Sequence, residues 1–219
     1  PLLKVEFKEK GLSTLKPRNI WFDPIVLKLN LDSRGNPLGA FRPEDLLLII
    51  NNDGTLKTAN PELSTQFNVL PVVIERWIIG KPITLVYYDE IKKDYFIKRF
   101  LIESQNKELV YLKDASKLIF ISTEWRPVIS IKFKKKKGEK SNQEKKINVE
   151  EFIDVKGFKA SGNRLLTEKI FSKKKINKIS LVESLPYEDS TENRVESELE
   201  VNESDEESKS KKTQTKLKF

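Results

Sequence analysis

The sequence contains no cysteine, no histidine and no methionine. Without cysteine there is no disulfide framework, no thiolate nucleophile and no thiolate zinc site. Without histidine, the commonest general base near neutral pH is missing as well. Carboxylates remain, but no paired-carboxylate cluster sits in an apolar frame that would raise a pKa. Long apolar runs are also lacking. The longest is Leu46 to Ile50, against the roughly 20 residues that a spanning helix needs. The segment Pro1 to Lys10 alternates charge with apolar residues and does not read as a signal peptide. No membrane segment is therefore expected, and the cytoplasm is the expected compartment. The missing initiator methionine predicts a piece of a longer protein.

Charge is what the chain has in quantity. It carries 41 Lys and Arg against 33 Asp and Glu over 219 residues, a net charge of +8, and 34% of its residues are charged. The balance is uneven: residues 1–185 hold +12 and residues 186–219 hold −4. A basic body with an acidic tail fits a polyanionic partner such as nucleic acid. A solvated, Lys-rich surface favoured by AT-rich codon usage gives the same balance, and both readings stand at this point.

Periodicity predicts an all-β chain. Short apolar or alternating runs occur at Val5 to Phe7, Ile25 to Leu31 and Leu46 to Ile50. Asn52-Asp53-Gly54 predicts a type I′ hairpin turn into Leu56 to Thr58. A second hairpin is expected from Ile83 to Tyr88, a turn at Asp89 to Asp94, and the aromatic-rich return Tyr95 to Ile102. A third unit runs Leu118 to Ser122, a turn at Trp125-Arg126-Pro127, then Val128 to Phe133, where Ile129, Ile131 and Phe133 share one face. Pro61 to Gln66 reads as a turn, and Glu75 to Ile79 as strand or short helix. The hairpins recur at roughly 35–40 residues, close to the 40–45 of a four-stranded propeller blade. The expected fold is a propeller-like array over residues 1–185. Lys134 to Gln143 should break it as a basic loop, and residues 186–219 are too polar to pack and should be disordered.

The stretch Phe152 to Leu165 (Phe-Ile-Asp-Val-Lys-Gly-Phe-Lys-Ala-Ser-Gly-Asn-Arg-Leu) is the most distinctive. Gly157 and Gly162 permit a sharp turn or a close approach to phosphate, with Lys156, Lys159 and Arg164 supplying charge. A tight inter-strand loop that is merely basic fits the residues equally. Tyr87, Tyr88, Tyr95, Phe96 and Phe100 read as core rather than base-stacking residues, and Lys98-Arg99 lies mid-strand, one side chain outward and the other toward the core face or a sheet edge.

This stretch resembles the closing signature of the A subunit of bacterial type IIA topoisomerases, above all topoisomerase IV of Bacteroidetes. Asn19 to Asp23, Gly35 to Gly39, Phe41-Arg42, Leu46 to Thr58, Tyr95 to Leu101, Ile121 to Pro127 and Leu185 to Glu188 resemble family strings in the same order, covering about residues 1–188. The resemblance implies a β-pinwheel of four-stranded blades whose basic rim bends duplex DNA. It implies an A subunit that dimerises and pairs with an ATPase B subunit, with Mg²⁺ and ATP used by other domains and no cofactor here. The glutamine–arginine–glycine-rich box of gyrase is absent, which favours decatenation and relaxation over negative supercoiling. No tyrosine follows an arginine, so the strand-breaking centre is expected elsewhere, and no catalytic or metal residue is assigned. The cations expected at DNA are Lys98, Arg126, Lys134, Lys135, Lys136, Lys137, Lys156, Lys159 and Arg164. A stand-alone basic module for RNA or single-stranded DNA, or a protein-interaction module, remains open.

Overall fold

The computed structural model describes residues 16–103, 107–135, 143–168 and 174–186. The chain divides into two units, Pro1–Ser184 and Leu185–Phe219; only Leu185 and Pro186 of the second are described. Val5 to Phe7, Lys136, Lys137 and nearly all of the expected tail lie outside the described residues.

The first unit is all-β, as its periodicity predicts, in four antiparallel sheets, none of them closed. The strands are β1 (Arg18–Asp23), β2 (Lys28–Asn30), β3 (Asn36–Phe41), β4 (Leu47–Ile50), β5 (Thr55–Ala59), β6 (Val73–Arg76), β7 (Ile83–Asp89), β8 (Asp94–Phe100), β9 (Leu109–Val110), β10 (Ser116–Ser122), β11 (Arg126–Phe133), β12 (Glu144–Asn148), β13 (Asn163–Arg164) and β14 (Ile176–Leu185). One turn of helix, α1 (Val149–Phe152), follows β12, with the Asn148 side chain accepting from the Glu150 N–H.

One rule builds the last three sheets. Two strands form a hairpin, the chain crosses to the outer edge of the preceding sheet, then returns to pair with the first hairpin strand. The hairpin β4–β5 is followed by a bridge from Gln66 to Lys28 of β2, and then by β6 on β4. β7–β8 is followed by β9 on β5, then by β10 on β7. β11–β12 is followed by β13 on β8, then by β14 beside β11. The straps at Gln66, β9 and β13 thus lie at outer edges, and β3, β6, β10 and β14 at the opposite edges. Asn36, Val73, Ile121 and Leu181 from those four edges line one cleft of about 500 Å³.

Face-to-face packing explains the side-chain patterns. In β4, Leu47 and Ile49 join a core with Ile20, Phe22, Leu29 and Phe41, while Leu48 and Ile50 join one with Ile83, Leu85 and Phe100. Both faces of this strand are covered, so its sequence is a continuous apolar run rather than an alternation. In the next sheet, Ile97 and Val86 pack with Ile129, Ile131 and Phe133 of β11. The face that Ile129, Ile131 and Phe133 share is therefore the packed one.

Several turns depart from their sequence readings. Ile25 to Leu31 is strand only over Lys28–Asn30. Asp23 Oδ1 accepts from the N–H groups of Ile25 (2.9 Å) and Val26 (3.2 Å), and Leu27 closes the turn at φ 54°. Ile25 is 89% exposed. The same device turns β7 into β8. There Asp89 Oδ1 accepts from Ile91 (3.0 Å) and Lys92 (2.9 Å), and Lys93 closes at φ 54°. At Asn52-Asp53-Gly54 only Gly54 has positive φ. Asn51 N–H bonds to the Thr55 carbonyl, so the turn has three loop residues, not the two of a type I′ turn, which needs positive φ at both. Of Glu75 to Ile79 only Glu75 and Arg76 are strand, the end of β6, and Arg126 and Pro127 lie inside β11 rather than in a turn.

The shared aspartate turn predicts equal costs. Asp23→Ala and Asp89→Ala each leave two N–H groups without their acceptor and should each lower stability by about 1–2 kcal/mol. Urea unfolding should show a lower midpoint with an unchanged slope.

Candidate nucleic-acid interface

The cations expected at DNA fall into distinct environments. Lys98 and Arg99 sit next to each other in β8, and alternation sends them to opposite faces. Neither is outward, because both faces of this sheet are covered: Lys98 is 6% and Arg99 5% exposed. Arg99 faces β11. Its Nη2 donates to the Trp125 carbonyl at 2.8 Å, its Nε is buried without a hydrogen-bond partner, and burial pulls its pKa down. Arg126 pairs with Glu150 of α1 through Nε, and that carboxylate also acts favourably on Arg99. This group ties adjacent sheets together.

Lys98 faces the other way, with its ammonium over the rings of Phe100 (4.8 Å) and Phe158 (4.7 Å). Burial, reinforced by the charge of Lys113, lowers its pKa to about 8. It lines a cleft of about 190 Å³ that also takes in Lys113 beyond β9 and Lys159 and Ser161 ahead of β13. Lys113 Nζ donates to Ser161 Oγ at 2.8 Å. Lys98 and Lys159, both named from sequence, thus meet here, and Lys113 joins them.

The Phe152 to Leu165 stretch is the strap that carries β13 to β8. Lys156 N–H bonds to the Arg99 carbonyl at 2.9 Å, and Lys156 Nζ to Asn163 Oδ1 at 2.8 Å. Arg164 pairs with Asp94 at 2.6 Å while its side chain stays 58% exposed. Gly162 has φ 80°; Gly157 does not lie in the left-handed region. Lys134 and Lys135 are exposed at the end of β11. Arg126 begins the same strand, so some 25 Å of extended chain separates it from them. Sequence reasoning passed over a further basic group, where Lys16, Arg18 and Arg42, with Glu62, border a cleft of about 750 Å³ between the first sheet and the loop after β5. These three are far apart in sequence and form no motif, so only the pairing of Arg18 with Phe41 in β1–β3 brings them together.

The tyrosine hydroxyls anchor two straps and the start of β14. Tyr87 donates to the Ser161 carbonyl (2.5 Å) and Tyr111 to that of Asn51 (2.6 Å), while Tyr95 accepts from Ile176 N–H (3.2 Å). Burial raises the pKa of all three, that of Tyr111 to about 12 with help from Asp53. Tyr87 and Phe100 are buried core residues, as their composition suggested. Among the described residues no group of three acidic side chains is placed to hold a metal, and no helix is long and apolar enough to cross a membrane.

The family model for the topoisomerase C-terminal domain of Bacteroidota matches residues 28–180. The chain belongs to that family. The matched span runs from β2 into β14, and so takes in part or all of every sheet of this topoisomerase C-terminal domain. It also contains every cation that the sequence singled out, from Lys98 to Arg164. A search of curated proteins and a search of solved structures each returned no match.

Proposed function

We propose that this topoisomerase C-terminal domain is the DNA-binding and DNA-bending region of a type II topoisomerase A subunit, topoisomerase IV-like and itself non-catalytic. The family match over residues 28–180 carries the reading. The +12 charge of residues 1–185 supports it. In this reading the four sheets are blades of a pinwheel, which the repeated strap rule and the cleft shared by four sheet edges favour. Lys134 to Lys137, Lys156, Lys159 and Arg164, together with Lys98 and Arg126, neutralise phosphates without reading sequence. Distributed backbone contacts offset the few kcal/mol that bending costs. The parent A subunit dimerises, pairs with an ATPase B subunit, uses Mg²⁺ and ATP through other domains, and works in the cytoplasm at the nucleoid.

Closing a nicked plasmid with ligase in the presence of the domain tests bending and wrapping together. The expected outcome is a shift in the linking-number distribution that grows with protein concentration. An unshifted distribution at saturating protein would remove the wrapping claim.

The anchored hydroxyls of Tyr87, Tyr95 and Tyr111 favour a non-catalytic role. Supercoiled plasmid incubated with the domain, Mg²⁺ and ATP should keep its topoisomer ladder unchanged. Reproducible relaxation by the pure domain would contradict this.

A further inference from the structure

We propose that the cleft between the β9 and β13 straps is a discrete oxyanion site, floored by Lys98 and walled by Lys113 and Lys159, that takes one phosphate group. The site rests on its own geometry. It deepens the DNA-binding reading if the phosphate belongs to a backbone, but it does not need that reading to be correct.

Three observations lead to it. First, Lys98 is 6% exposed, yet its ammonium meets only the rings of Phe100 and Phe158. Among the described residues it has neither a carboxylate nor a hydrogen-bond acceptor. A largely buried ammonium whose protein contacts are ring faces turns its remaining donors to the cleft, and an anion there is the partner that would complete it. Second, the cleft gathers Lys98, Lys113 and Lys159, and no Asp or Glu lines it. Like charges repel unless something negative sits between them, and the effect is visible at Lys98, whose pKa is lowered by burial and by Lys113. Third, the cleft has room. Its volume of about 190 Å³ exceeds by several times the roughly 30 Å³ that one water occupies. Ser161 Oγ already takes the Lys113 ammonium at 2.8 Å, which leaves its own hydroxyl proton free to point at a guest. The sheets position these groups. Tyr87 and Tyr111, bonded to Ser161 and Asn51, fix the two walls relative to the floor.

The full chain is titrated with sodium phosphate against sodium chloride at matched ionic strength, reading the thermal midpoint and ³¹P line width. Phosphate should raise the midpoint by several degrees beyond chloride and broaden the resonance. Lys98→Met should abolish both effects. Lys113→Ser with Lys159→Ser, both at exposed positions, should abolish them even if the Lys98 variant misfolds. A duplex titration then separates the two sources of phosphate. If a backbone phosphate is the ligand, free phosphate competes with duplex, and Lys98→Met weakens duplex binding roughly 5- to 10-fold and lowers the salt slope by about 1. If free phosphate is the ligand, duplex affinity is unchanged while phosphate protection is lost. Either result supports the site. No phosphate-specific protection of the wild-type chain, together with unchanged duplex binding by both variants, overturns it and leaves Lys98 as a ring-packed structural lysine. Loss of duplex binding in the wild type alongside intact phosphate protection would instead sink the DNA reading and keep the site.

Discussion

Gly162→Ala is expected to lower stability by roughly 3–5 kcal/mol, a large part of the 5–15 kcal/mol that holds a typical domain. Gly162 has φ 80°, a conformation that alanine adopts only with strain. An added Cβ would also stand 2.2 Å from the Ile97 carbonyl oxygen and 2.9 Å from its carbon. Both atoms are backbone of the central strand β8, so relief requires the strap to move away. That movement breaks the pairing of Asn163 with Ile97, strains the Tyr87–Ser161 bond and pulls on buried Leu165. Gly157→Ala is the control. Its φ is not in the left-handed region and nothing lies within 4 Å of the position, so the cost should stay within about 0.5 kcal/mol. Thermal unfolding should separate the two variants by roughly 10 °C. Equal midpoints would show that the strap is not held against β8.

Lys98→Met is expected to act in the opposite direction and stabilise the chain. The wild-type ammonium has a pKa of about 8 instead of 10.5, with burial the main cause and Lys113 the second. The unfolded chain therefore binds the proton more tightly than the folded one. Below pH 8 the folded state bears the full cost of the charge, up to about 3 kcal/mol. The cost is relieved as pH rises from about 8 to 10.5. Wild-type stability should accordingly climb between pH 8 and 10, and that climb should vanish in Lys98→Met. Lys113, Lys159, Tyr87 and Tyr111 are the other titratable groups of the cleft. The tyrosines have raised pKa values, so their contribution is lost only above pH 10 and the window stays readable. Methionine fills a similar volume but gives up the ring contacts, worth about 0.5–2 kcal/mol. The net gain near pH 7 should be about 1–2 kcal/mol, or roughly 3–6 °C. A destabilised Lys98→Met with an unchanged pH profile would show that the ammonium is not desolvated. A stabilised variant that has lost phosphate binding would identify Lys98 as a residue kept at the expense of stability.

Much of the sheet structure was legible because local pattern and tertiary burial agree. Leu46 to Ile50 is continuous where two cores meet, and β11 alternates where one face is packed. Turn chemistry was legible only in part. Asp23-Pro24-Ile25 and Asp89-Glu90-Ile91 share one hydrogen-bonding device, but the surrounding residues differ, and apolar Ile25 and Val26 mimic strand. The straps were legible only as the tight inter-strand loop at Phe152 to Leu165, and their pairing was not. β9 and β13 are two residues long, and long-range pairing with β5 and β8 fixes them rather than any propensity of their own. The candidate cations suffered for the same reason. Lys98 and Arg99 read as one outward and one inward residue until a sheet is known to cover each face. Lys113 carries no motif and joins the cleft only because two straps converge. Lys134 and Lys135 are exposed, as their basic composition predicts, because solvent exposure is a property that composition does report.

Fluorescence anisotropy of a labelled 30-base-pair duplex of arbitrary sequence, titrated with the full chain from 50 to 300 mM NaCl, tests the central claim most directly. Each neutralised phosphate contributes about 0.9 to the slope of log K against log salt. Contacts from several outer segments at once should give a slope steeper than about −3, the same affinity for an unrelated duplex sequence, and weaker binding to a single strand of equal length. A flat salt dependence, a preference for the single strand, or no duplex binding by a chain whose circular dichroism shows folded β structure would contradict the account.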